Sequence, residues 1–345
     1  MLPKTRLEIV AHDGDVHVRN GDLDAIDLSA KAKEDEGGGG GGGGGGDGER
    51  RVVAGVVEGP SSPTVRLEAE RVSLVTALIP ERYCGAQVRA QAGAVSVAKI
   101  TEASLDVWAK KSVDLQSVKG IEVDVHSDAG DIGGVASGSN VCLRTKQGAI
   151  DMKKVVGNAV DVHSLGTVSM GSLYADVASV LSEERNVSLG NIGCKELVVR
   201  AEKGVVDIKG VTGNLEVAGC RRASIHLSKD CQKVQVRDVE EDIEITLEAG
   251  TSVKCKIDSA SKEWTEDVRE EAVVGQEEMD AVILSVPGMG LGMGLDTTAG
   301  NHRGESEVEP RQSELTVSAP NARVRISANS WLASMLMKKP SEKKK

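Results

Sequence analysis

One pattern limits what this chain can fold into. A triplet of apolar, variable and apolar residues returns every 18 or 19 positions from Val95 to Ile245. Its first members are Val95, Val113, Ile132, Ile150, Val168, Val187, Val206, Ile225 and Ile243. Its second members are Val97, Leu115, Gly134, Met152, Met170, Leu189, Ile208, Leu227 and Ile245, where only Gly134 breaks the apolar rule. A second column lies about nine residues earlier in each repeat. It reads Leu105/Val107, Val123/Val125, Val141/Leu143, Val160/Val162, a weak Ala175/Val177, Leu197/Val199, Leu215/Val217, Val234/Val236 and Val253/Cys255. A third column follows the first by five residues: Ile100, Val118, Val155, Leu173, Ile192 and Val211, with Val135 two residues early. Apolar and polar residues alternate with the strand period, because successive side chains of a strand point to opposite faces. β-Branched residues dominate, as strands favour.

Glycines such as Gly130, Gly148 and Gly166 fall between the columns, where the chain must turn. Val123-Asp-Val-His-Ser127 recurs unchanged as Val160-Asp-Val-His-Ser164. A fixed period of this length is the mark of a repeat architecture. One repeat cannot bury its few apolar positions alone, whereas stacked repeats share a continuous core. The chain is therefore expected to be all-β: a single-stranded, parallel, β-helix-like solenoid with 18–19 residues per coil. Stacked coils would lie roughly 4.8 Å apart. A β-sandwich fits less well, since its hairpins do not keep so constant a spacing.

The regular array spans 65–257 on this reading. Residues 1–28 form outlying N-terminal strands, with Leu7/Ile9 and Val16/Val18 separated by Asp13-Gly14. Residues 29–64 hold ten consecutive glycines, Gly37 to Gly46, and read as a disordered insert. Ordering such a run costs backbone entropy with nothing to bury. Residues 258–312 read as acidic and Gly/Met-rich inserts flanking one strand, 282–286; the acidic part is expected to be a loop or short helix. Residues 313–337 supply the last coil, Leu315/Val317 and Val324/Ile326, and a cap of Trp331, Leu332, Met335 and Leu336. A cap shields the open end strand from edge pairing. Residues 338–345 are a basic tail.

Composition narrows the partners. The chain of 345 residues has no Phe, three Trp, two Tyr and a net charge of −11. Nucleic-acid binding needs clustered cations and stacking aromatics, so no nucleic-acid partner is expected. No run of 18 apolar residues occurs, so no membrane span is expected. The N-terminus has no secretory h-region, which makes the cytoplasm the default, with an organelle entering if the natural N-terminus is longer. Cys84, Cys142, Cys194, Cys220, Cys231 and Cys255 form no C-x-x-C pair and read as free thiols.

In a stacked array the outward positions also align. One such row reads Asp151, Ser169, Ser188, Asp207, His226 and Glu244. It holds the residue types of a hydrolytic triad, but Asp207 would separate Ser188 from His226, and a flat wet face has no oxyanion pocket. His126 and His163 occupy equivalent places with Arg144 between them. Two repeats would separate them by roughly 10 Å, too far for one zinc. Asp106, Asp124 and Asp161, with Asp176 less securely aligned, form another row that Cys142 interrupts. Calcium needs six to eight oxygens in a looped geometry, and that row is expected to be solvated. The Gly288–Gly294 stretch does not match the dinucleotide fingerprint. No catalytic, metal or cofactor-binding residue and no cofactor is assigned.

The Val-Asp-Val-His-Ser units and the Gly-x-Ile/Val-x-apolar steps resemble the putative adhesin family of unknown function. The chain is most similar to its eukaryotic branch, called family with sequence similarity one-eighty-five, member A. Pro80-Glu-Arg-Tyr83, Val88-Arg-Ala-Gln-Ala-Gly93-Ala-Val-Ser-Val97 and Val324-Arg-Ile-Ser-Ala-Asn-Ser-Trp331 carry that likeness, over 65–257 and 313–332. The resemblance implies a β-solenoid with nothing catalytic. The expected function is a non-enzymatic binding or scaffold protein with a protein or glycan partner. The alternatives are a hydrolase acting on an outward face, at Asp207, His226 and Glu244 or between the late inserts, and a surface adhesin if a signal peptide precedes this sequence.

Overall fold

Alternating β-branched and polar residues place nearly all of the described chain in strands, and no helix occurs among the described residues. A computed structural model describes residues 5–21, 27–32, 51–58, 63–70, 72–80, 84–265, 268–272, 281–286 and 313–329. The chain divides into two compact units, Met1–Gly204 and Val205–Lys345. In both, the strands pair mostly parallel, as an all-β protein.

The first unit contains β1 (Thr5–Ala11), β2 (Asp15–Gly21), β3 (Asp27–Ala32), β4 (Arg51–Glu58), β5 (Pro63–Glu70) and β6 (Val72–Pro80). It continues with β7 (Cys84–Ala90), β8 (Val95–Ala98), β9 (Thr101–Ala109), β10 (Val113–Ser127), β11 (Ile132–Thr145), β12 (Ile150–Ser164), β13 (Val168–Ser182) and the start of β14 (Val187–Glu248). The pairing register equals the sequence period: Val95 lies opposite Val113, Val113 opposite Ile132, Ile132 opposite Ile150, Ile150 opposite Val168, and Val168 opposite Val187. These residues, their second members and the third column apart from Val135 are at most 4% exposed wherever they are apolar. Each such side chain removed from water contributes roughly 1.5–3 kcal/mol.

Three column assignments change. In the second column Val160 faces Ala178 and Val162 faces Val180, so the weak pair is Ala178/Val180 and not Ala175/Val177. Val177 points outward at 51% exposure. In the third column Ala136, not Val135, stands opposite Val118 and Val155 and is fully buried. The cause is local: the register shifts beside Gly134, whose φ is 120°. A Cβ there would lie 2.0 Å from the Leu115 carbonyl oxygen, so the break in the apolar rule is a backbone requirement.

A fourth inward row closes each corner. It runs Ala90, Ala109, Ser127, Thr145, Ser164, Ser182 and Ala201 in register, and all are buried. Its hydroxyls tie one corner to the one before. Ser127 Oγ donates to the Lys111 carbonyl at 2.7 Å, Ser164 Oγ to the Gly148 carbonyl at 2.9 Å and Ser182 Oγ to the Gly166 carbonyl at 2.8 Å. Buried hydroxyls need such partners.

The order of repeats in space differs from the order in sequence. β1 pairs with β5 on one side and β7 on the other, and β2 with β6 and β8. The N-terminal repeat, expected to be outlying, is therefore intercalated between residues 63–80 and 84–98. Strand also extends into both flanks of the stretch expected to be disordered: β3 pairs antiparallel with β6, and β4 antiparallel with β5. Val52, Val53, Val56 and Val57 give β4 its strand character. These two strands lie along the edge that the intercalation leaves open, which blunts it against edge pairing. The glycine run lies outside the described residues.

The second unit repeats that device. It holds the remainder of β14, then β15 (Ser252–Trp264), β16 (Arg269–Ala272), β17 (Ala281–Ser285) and β18 (Ser313–Asn329). Its core includes Val206, Ile208, Ile225, Leu227, Ile243 and Ile245, each at most 1% exposed. β18 pairs parallel with β14, Val234 opposite Leu315 and Ile243 opposite Val324. It also pairs parallel with β15, Cys255 opposite Leu315 and Trp264 opposite Ile326. So 315–326, expected to be the last coil, sits between two earlier segments. The acidic stretch expected as loop or helix begins as strand through Trp264, and β16 pairs antiparallel with β17, which pairs antiparallel with β15. Glu263 and Glu270 are exposed on these strands. The expected cap, 331–337, and the basic tail, 338–345, lie outside the described residues.

Candidate functional site

The outward rows of the first unit are set by the same register as the core. One row runs Gln87, Asp106, Asp124, Cys142, Asp161 and Ser179. Asp176, the least secure member expected there, is elsewhere and pairs with Lys195 at 2.7 Å. Two residues further along each strand the row reads Arg89, Trp108, His126, Arg144, His163 and Leu181. Arg144 stands between the two histidines, as the spacing predicts. His126 Nε2 lies 3.2 Å from Asp128 Oδ1, and His163 Nε2 lies 2.7 Å from Glu183 Oε1. Each imidazole thus has its own carboxylate. Among the described residues no group of three or more His, Cys, Asp or Glu is placed to hold a metal ion.

The triad-like row is divided between the two units. Asp151, Ser169 and Ser188 stack in register in the first unit. Asp207, His226 and Glu244 belong to the second unit, where Glu244 faces Arg325 across the sheet. Five of the thiols are held protonated. Burial pushes Cys220, Cys231 and Cys255 up to about 12 and Cys194 up to about 11. Cys142 is raised to about 12 by burial first and by the Asp124 carboxylate second. A thiol held protonated is neither a ready nucleophile nor a metal ligand.

Three successive repeats enclose a concavity of about 540 Å³ on the outward face of the first unit. Arg89, Gln91, Asp106, Trp108, Lys110, Asp124, His126 and Asp128 line it. Half-buried Trp108 occupies the centre, with Arg89 and His126 on the neighbouring repeats and Asp106 and Lys110 along its own strand. Two of the three carboxylates are engaged. Gln87 Nε2 donates to Asp106 Oδ2 at 2.7 Å, while the Cys142 thiol next to Asp124 donates to Asp161 Oδ2 at 3.9 Å. Lys146 Nζ lies 2.7 Å from Asp128 Oδ1, and this contact, with His126 beside it, holds the Asp128 carboxyl below its usual range. Arg89, Lys110 and the indole N–H are different: among the described residues no side-chain hydrogen bond or ion pair engages them. The periodicity does not reveal this place, because core burial leaves outward positions unconstrained. Its signal in the sequence is a rare aromatic on an outward row, three residues after the inward Leu105.

No protein-family model matches the chain. No curated protein matches it. Among solved structures, a putative cell adhesion protein from Clostridium sporogenes ATCC 15579 is similar at 10% identity, with 95% of this chain and 94% of that chain covered and a TM-score of 0.19. A superposition that loose carries no argument about what this chain does.

Proposed function

We propose that this chain is a β-solenoid of the adhesin type that works by binding, without catalysis, and meets its partner at the Trp108 face. The observation that carries the reading is the concavity itself. Tryptophan and arginine are the side chains that concentrate binding energy at recognition surfaces. Here both stand on a sheet, with polar groups that have no side-chain partner among the described residues. Rigid placement lowers the entropy cost of binding. The period of 18–19 residues and the in-register parallel pairing support the solenoid, and the family resemblance of the repeats supports the adhesin type.

Glycan and peptide arrays probed with the whole chain test the reading. Array signals of the wild type are expected to vanish in Trp108→Ala and to persist in Glu244→Gln. Esterase, glycosidase and peptidase substrates are expected to stay intact. Signals indifferent to Trp108→Ala would remove the proposed face. Turnover lost on replacing Asp207, His226 or Glu244 would replace binding with hydrolysis.

A further inference from the structure

The charges around Trp108 are unevenly satisfied, and that asymmetry names a ligand chemistry. Two carboxylates of the concavity already have a donor from the protein: Gln87 for Asp106 and Lys146 for Asp128. Neither cation has an acceptor among the described residues, and the indole N–H of Trp108 has none there either. In a chain of net charge −11, Arg89 and Lys110 stand out as cations with no ion pair among the described residues. An anionic group seated there would gain charge-assisted hydrogen bonds from Arg89 and Lys110. The acceptor rim of Asp106, Asp124 and Asp128 repels a second anion and attracts hydroxyl donors instead.

We infer that the concavity takes an acidic pyranose, a sugar ring carrying one carboxylate, as in a uronic acid. This rests on the binding reading above and specifies its ligand. The ring's C–H face covers the indole, its hydroxyls donate to Asp106 and Asp124, and its carboxylate accepts from Arg89 and Lys110. The size agrees: three repeats by three outward positions span about 10 Å by about 13 Å, enough for one or two sugar rings. A polyacidic peptide would press carboxylates against the Asp rim. A basic peptide would meet Arg89 and Lys110. A ligand that is both hydroxylated and singly charged satisfies both halves.

Calorimetric titration of the whole chain with trigalacturonate, galactotriose and triglutamate tests it, with circular dichroism to verify the fold of each variant. Trigalacturonate is expected to bind at least about tenfold tighter than galactotriose, about 1.4 kcal/mol. Arg89→Gln/Lys110→Gln is expected to erase that preference, Trp108→Ala to abolish binding, and Trp108→Phe to retain most of it. Added salt is expected to weaken trigalacturonate more than galactotriose. Equal affinity for the two sugars, an unchanged double variant, tighter binding of triglutamate, or no heat at millimolar trigalacturonate overturns the inference. Array signals that depend on Trp108 but show no uronate preference sink this inference alone. Signals that ignore Trp108 sink the reading beneath it.

Discussion

Replacing Ser164 with alanine isolates what the corner hydroxyls contribute. Ser164 is 0% exposed. Its Oγ donates to the Gly148 carbonyl at 2.9 Å and accepts from the Gly166 N–H at 2.8 Å. Alanine already occupies this row at Ala109 and Ala201, both 0% exposed, so the backbone tolerates it and no steric cost enters. What disappears is two hydrogen bonds, each worth about 1 kcal/mol net, and one buried and one part-buried backbone group lose a partner, at about 1–3 kcal/mol for the buried one. Partial relaxation brings the expected loss to about 2–3 kcal/mol. Urea unfolding followed by circular dichroism reads this as a lower midpoint with an unchanged slope. Stacked repeats can open locally, so hydrogen exchange at the Gly166 amide gives a second, local readout, expected to accelerate in the variant. Ser164→Thr keeps the hydroxyl, as Thr145 does in the same row, and is expected to retain most of the stability. A loss under about 0.5 kcal/mol in Ser164→Ala, or an equal loss in Ser164→Thr, would refute the role given to the hydroxyl row.

Three further outcomes follow from the geometry. Gly166→Ala would set a Cβ 2.3 Å from the Gly148 carbonyl oxygen, so the backbone must move, and a loss of about 1–3 kcal/mol is expected as a lowered Tm; an unchanged Tm would contradict the close stacking of corners. Lys146→Gln is expected to raise the Asp128 pKa, followed by carbon-detected NMR titration, because the Lys146 contact is the main cause of its depression. The sign is that of a depressed carboxyl: its contribution to stability is present above the unfolded-state pKa and fades as pH falls through the folded one, and Lys146→Gln flattens that acid limb. The described buried thiols are expected to resist maleimide at neutral pH in the folded protein and to react after denaturation; rapid labelling of Cys194 or Cys231 in the native chain would contradict their burial.

Much of the register was legible because inward positions obey a burial constraint at every repeat. Val95, Val113, Ile132, Ile150, Val168 and Val187 pair as their spacing predicts. The misassigned Ala175/Val177 shows the limit. A small residue, Ala178, fills the inward place, and the larger Val177 beside it mimics the pattern while facing out. Neighbour order was not legible, since any repeat carrying two spaced apolar pairs presents the same edge to any other; Leu7 and Ile9 fit against Val65 and Leu67 as well as against Ala86 and Val88. Strand at Arg51–Glu58 was masked by the adjacent glycine run, although its valines carried the signal. Trp108 escaped because core burial does not constrain an outward position.

The intercalated segments have a kinetic meaning. Most neighbouring repeats close over a separation such as the 19 residues between Gln87 and Asp106. The β18 contacts close over 81 residues, as between Asp242 and Arg323, and those of β2 over 79, as between Asp15 and Ala94. By loop-closure entropy the longer span costs about 1.3 kcal/mol more to join. The repeats between them can zip locally, each on the last. β18 and the β1–β2 repeat must instead find slots whose two walls lie far along the chain, so assembly of the sheet does not follow the order of the polypeptide. In each unit the piece that arrives by the longest route is held on both sides once it is in place.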